Sequence, residues 1–117
     1  MTVTYINDHI TSVRINATKI LNWKAFHSYF QREFGFPEFY GRNMNAWIDC
    51  MGDLDKPENG MTGISIRKGE FLVLRITHVE ELKTNAMDIY LALVECSAFV
   101  NRSRMEVGDL PLLILSF

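Results

Sequence analysis

The sequence predicts an α/β sandwich, with helices stacked against a small and mostly parallel sheet. Three observations carry this reading. Strand-like and helix-like segments follow one another as strand, two helices, strand, helix, strand, the order that builds a sheet through helical crossovers. Residues 71–76 and 112–116 are almost continuously apolar, as strands covered on both faces of a parallel sheet are. Between the strand-like runs lie segments whose apolar residues recur at spacings of three and four, the period of an amphipathic helix.

Each element has a local reason. Val3 and Tyr5 alternate with threonines, and Val13 and Ile15 alternate with Ser12, Arg14 and Asn16, so two short strands are expected, with Asn7-Asp8 as turn formers between them. Asn22 offers a side-chain oxygen to cap a helix over Trp23–Phe34, whose Trp23, Phe26, Phe30 and Phe34 make a core-facing stripe; Gly35 ends it and Pro37 prevents its return. Pro37 and Gly41 bracket a short loop carrying Phe39 and Tyr40, with Gly41 supplying torsions closed to other residues. Asn43 caps a second helix over Met44–Met51, and Gly52 stops it. On that helix Met44, Trp47 and Met51 share one side with Ile48 at its edge, while Asn45 and Asp49 lie one turn apart on the other. Trp47 is therefore expected inside and Asp49 outside.

Pro57 and Asn59-Gly60 make residues 53–60 a loop. Residues 61–66 read as containing a short strand, Lys68-Gly69 as a turn and residues 71–76 as the centre of the sheet. Thr77 and Glu80 have capping-box spacing and open a long helix with Leu82, Ala86, Ile89, Leu93 and Val100 on its buried stripe, ending near Asn101. Gly108 and Pro111 lead into the last strand.

At 117 residues the chain is one domain, 1–117, with enough apolar sequence to form a core without staples. No apolar run reaches the length of a membrane span and the polar start lacks the regions of a secretory leader, so the expected location is the cytoplasm. Cys50 and Cys96 are expected to be reduced thiols there. A net charge of -2, with Arg67-Lys68 and Arg102 and Arg104 as sparse basic pairs, argues against a nucleic-acid partner. Glu38, Asp49, Asp53, Asp55 and Glu58 outnumber Arg42 and Lys56 after the first helix, and this acidic side suits a cationic partner. His9, His27 and His78 stand in no nucleophile or metal-ligand spacing with either cysteine, so no catalysis, metal or cofactor is expected.

The words PEFYGRNMNAWIDC, residues 37–50, resemble the signature segment of the barstar family, small intracellular inhibitors of ribonucleases, in which a Pro-Glu-aromatic-Tyr-Gly loop leads into a helix ending Asp-Cys. The order of elements over nearly all of the chain fits too, apart from the first residues and an apparent insertion near residues 56–60. The resemblance implies a three-stranded parallel sheet, here with edge strands at residues 3–5 and 63–66, packed with about three main helices. It implies an immunity protein, monomeric when free, that occludes the active site of a ribonuclease toxin with a carboxylate placed where a phosphate would bind. The binding residues it implies are Phe39, Gly41, Asn43, Asn45, Ile48 and Asp49, with Asp49 as anchor and Glu95 as the carboxylate on the last helix. Four positions depart from the pattern: Asn45 replaces a second Asp, Ile48 an exposed Trp, Phe39 a Tyr and Arg42 a Glu. Two carboxylates are lost and one cation gained, which leaves the target open between a barnase-like enzyme, another toxin and a non-ribonuclease partner of a general interaction module.

Overall fold

The computed structural model of the chain describes residues 3–7 and 10–117, with side chains described from Ile10 onward. Four strands, β1 (Val3–Asn7), β2 (Ile10–Asn16), β3 (Phe71–Thr77) and β4 (Leu113–Ser116), form one sheet in that spatial order. β1 is antiparallel to β2, whereas β2, β3 and β4 run parallel. The expected three-stranded parallel sheet is thus present and widened by one edge strand; the Asn7-Asp8 turn and His9 extend outside the described residues. The helices are α1 (Trp23–Phe34), α2 (Met44–Met51), α3 (Val79–Asn85) and α4 (Met87–Glu106).

β3 is central as expected, but it is buried on one face only. Leu72, Leu74 and Ile76 are buried, while Phe71 and Val73 are half-buried and Arg75 is exposed. The same alternation runs along the second half of β2, where Val13 and Ile15 are buried and Arg14 is exposed, while Thr11 and Ser12 before them are both buried. The helices cover one side of the sheet, so two layers form and the far side meets solvent. The core between the layers joins Val13, Ile15, Leu72 and Leu74 to Phe26, Phe30, Phe34, Trp47, Leu93 and Val100.

Three local expectations are corrected. Residues 61–66 form no strand, because Gly63 N–H donates to Phe34 O at 2.8 Å and Ile66 N–H to Leu54 O at 2.9 Å, which ties the segment to the end of α1 and to the loop after α2. The approach is so close that a Cβ on Gly35, itself at φ 65, would lie 2.8 Å from Gly63 Cα. The long helix is broken at Ala86 (φ -152) into α3 and α4, and α4 runs on to Glu106. Thr77 does not cap it: its hydroxyl donates to Ile15 O at 3.3 Å, and His78, at φ 60, occupies the position before α3. The expected stripe of Leu82, Ala86, Ile89, Leu93 and Val100 is buried throughout, since both pieces pack on the same core.

Candidate functional site

The site grows from the end of α1. Gly35 adopts the left-handed cap, its N–H bonding Gln31 O, and the chain turns through residues 36–43 into α2. Phe36 and Tyr40 point inward with rings 4.8 Å apart, and Tyr40 N–H donates to Pro37 O at 2.9 Å, closing a tight turn. Phe39 at the turn's tip is left 76 % exposed, the most exposed large apolar side chain of the described residues. Alternation within one turn therefore gives one ring to the core and the next to solvent. Beneath it, His27 of α1 is buried with Nδ1 2.6 Å from the Tyr40 hydroxyl. Burial, then the nearby Arg42 cation, lowers the His27 pKa from 6.5, and burial raises that of Tyr40.

The unusual torsion of the loop falls on Arg42 (φ 54) and not on Gly41. Its guanidinium folds back on α1, donating to Ser28 Oγ at 2.9 Å, Lys24 O at 3.1 Å and Gln31 Oε1 at 3.3 Å. The cation that the sequence sets beside the acidic helix is thus held by α1. Asn43 caps α2 as expected, its Oδ1 accepting from Ala46 N–H at 2.8 Å. The cap and the buried Trp47, packed edge-on against Phe30 at 5.7 Å, fix the rotation of α2. Trp47 is inside, Asn45 and Asp49 are exposed, and Ile48 is half-buried at the edge.

Asp49 overlooks a cleft of about 260 Å³ between the C-terminal end of α2 and α4. Ile48, Asp49 and Asp53 form one wall, Phe99, Ser103 and Val107 the other. That volume lies below the roughly 300–1,000 Å³ of small-molecule sites and is of side-chain size. Among the described residues Asp49 makes no ion pair or side-chain hydrogen bond, whereas the charges around it are spoken for. Lys56 lies 3.5 Å from Asp109, and Arg104 holds the buried Asp55 in two bonds of 2.7 and 2.9 Å. Burial pushes the Asp55 carboxyl up, but the bonds and charge of Arg104, with Lys56, outweigh it and hold its pKa below 3.8. Asp55 therefore adds nothing to the acidic side that the sequence suggested. Asp49 and Asp53 remain, next to the negative end of the α2 dipole, and together they favour a cation.

Arg104 also donates to Gly52 O at 3.0 Å and Leu110 O at 2.8 Å, binding the loop after α2 to the chain after α4. It forms the floor of the cleft, a role that periodicity alone does not reveal. Phe99, 45 % exposed, and Val107, 75 % exposed, were likewise missed as site residues; the signal for Phe99 was an apolar side chain off the buried stripe of α4, whereas Val107 lies just past the end of that helix. Phe39, Gly41, Asn43, Asn45 and Asp49 are exposed along the loop and α2, with Ile48 at the cleft. Glu95 is exposed one turn before Phe99 and is not among the residues lining the cleft. Both cysteines are free thiols, and burial, then Asp49 and Asp53, raises the Cys50 pKa to about 11, so it is no thiolate nucleophile at neutral pH.

A two-layer α/β domain that displays an unpaired carboxylate near the end of a capped helix, above a cleft of side-chain size, has the build of a protein-recognition domain. The family model described as Barstar (barnase inhibitor) matches residues 10–109, and the chain belongs to that family. The resemblance carried by residues 37–50 is thereby borne out, as is the fold it implied. No curated protein matches the chain closely enough to add a relative.

Proposed function

We propose that this protein is a cytoplasmic immunity protein that binds a ribonuclease toxin and fills its active site, with Asp49 standing in for a substrate phosphate. The observation that carries the reading is the unpaired state of Asp49: it is exposed on a capped helix, beside Asp53, with Arg42 held on α1 and Lys56, which lines the same cleft, paired with Asp109. An active site that holds a phosphodiester is cationic, so a carboxylate on a rigid helix is both steered to it and seated in it at small entropic cost. Phe39 on the loop and Phe99 and Val107 beyond the cleft frame that carboxylate with apolar contact area. The barnase-inhibitor description of the family supports the class of target.

The absence of a second acid at Asn45, and the apolar wall of the cleft, favour as second reading a barstar-like module whose partner is not a ribonuclease. The two are separated by affinity capture from source cells and their secreted fraction with wild type and Asp49→Arg, assaying each dissociated eluate for ribonuclease activity. Ribonuclease held by wild type and lost from Asp49→Arg supports the immunity reading. A different partner captured equally by both refutes it.

A further inference from the structure

α4 is apolar on two sides, and only one of them is used by the fold. Ile89, Leu93, Ser97, Val100 and Arg104 face the core. On the opposite side Met87 (47 %), Leu91 (46 %) and Met105 (53 %) are exposed together with Ala98, and Val94 is half-buried between them. Positions 87, 91, 94, 98 and 105 follow the alternating four- and three-residue steps of a coiled-coil seam, skipping only 101, where Asn101 turns to bond Leu113 O and the N–H groups of Leu112 and Leu113. An apolar stripe along a 20-residue helix is more than scattered surface leucines.

The charges beside the stripe say what covers it. Glu95 and Arg102 flank it on the same side, seven residues and therefore about 10 Å apart. Among the described residues neither has an opposite charge within ion-pair distance; Arg102 lies over the Phe99 ring at 5.4 Å. Midway between them sits Ala98, small enough to let a second helix come close.

We propose that this face is a self-association surface: two copies pack α4 against α4, antiparallel, about a two-fold axis near Ala98, with Glu95 of each copy against Arg102 of the other. An isologous contact must be self-complementary, and a reversed helix centred between 98 and 99 places 95 opposite 102 twice over. The same operation brings Leu91 to within one residue of Met105 of the second copy along the helix. Because Phe99 and Ser103 line the α2 cleft from another flank of α4, and Val107 from just past its end, the dimer leaves Asp49 accessible. The monomer expected from the sequence is replaced by a dimer with two outward-facing clefts.

Sedimentation velocity over a concentration series tests this with the full chain. Wild type is expected to shift from monomer to dimer as concentration rises. Glu95→Arg and Arg102→Glu each set like charges together at two symmetric places and are expected to weaken the dimer about tenfold or more. An equimolar mixture of the two variants restores opposite charge at both places, so it associates as a heterodimer at concentrations where each alone is monomeric. Both side chains are exposed, and unchanged circular dichroism confirms folding. A wild type that stays monomeric to its solubility limit, single reversals without effect, or a mixture that does not associate would each overturn the proposal. Asp49→Arg should leave the dimer unchanged; its loss in that variant would move the contact to α2 and overturn the assignment to α4.

Discussion

Replacing Arg104 with alanine isolates the buried ion pair under the cleft. The wild-type guanidinium makes four hydrogen bonds, two to Asp55 and one each to the carbonyls of Gly52 and Leu110. The Asp55 side chain is only 4 % exposed, so the variant holds a carboxylate with neither a partner nor water, beside two carbonyls that have lost a donor. Breaking a buried pair from one side costs about 3–5 kcal/mol. At about 4 °C per kcal/mol for a domain of this size, the melting temperature should fall by about 12–20 °C. The pH dependence gives a second signature. In wild type the depressed Asp55 pKa contributes stability that is complete above 3.8 and lost as pH falls through the folded-state value. In the variant burial acts unopposed and favours the neutral acid, so the gap between the two proteins begins to narrow above 3.8, as the variant's carboxyl takes up its proton, and narrows further as wild type falls through its depressed value. Urea unfolding at several pH values measures both, and Arg104→Met with Asp55→Leu should recover part of the loss by removing the stranded charge. A loss below about 1 kcal/mol, or a gap indifferent to pH, would show that water screens the pair and that the floor of the cleft is held by something else.

Trp47→Ala should lower stability by about 3–5 kcal/mol in urea unfolding, because the ring is fully buried. Trp47→Phe should cost less, since the indole N–H it removes has no hydrogen-bond partner. His27 has a folded-state pKa below 6.5, so the unfolded chain binds its proton first; wild type should lose stability as pH falls through 6.5, and His27→Leu should show a flatter profile there in the same assay. Phe99→Arg should keep the fold and weaken partner capture at least tenfold by removing apolar contact and setting a cation beside Asp49 where a cationic site would dock, whereas Glu95→Gln should leave capture unchanged; titration calorimetry with the captured partner distinguishes them.

Local chemistry made much of this protein legible from its sequence. Asn22 and Asn43 start α1 and α2 because a short side-chain oxygen satisfies a free N–H of the first turn, and Gly35 ends α1 because it alone pays no steric cost at positive φ. The 3.6-residue period then put Trp47 inside and Asp49 outside, and the words of residues 37–50 carried the family. Where long-range partners compete for the backbone, the sequence misled: in the 61–66 segment, with strand-like alternation, Gly63 and Ile66 give their N–H groups to Phe34 and Leu54, carbonyls that only the tertiary fold brings into place. The same limit hid the fate of the charges. Arg42, Asp55 and Lys56 look alike as surface charges along the chain, yet folding ties the first to α1, buries the second on Arg104 and pairs the third with Asp109. Spacing along the chain fixes which face of a helix a side chain takes, but neutralising a charge depends on which distant group arrives within a few ångströms of it. That meeting, decided only by tertiary packing, is what leaves Asp49 alone above the cleft.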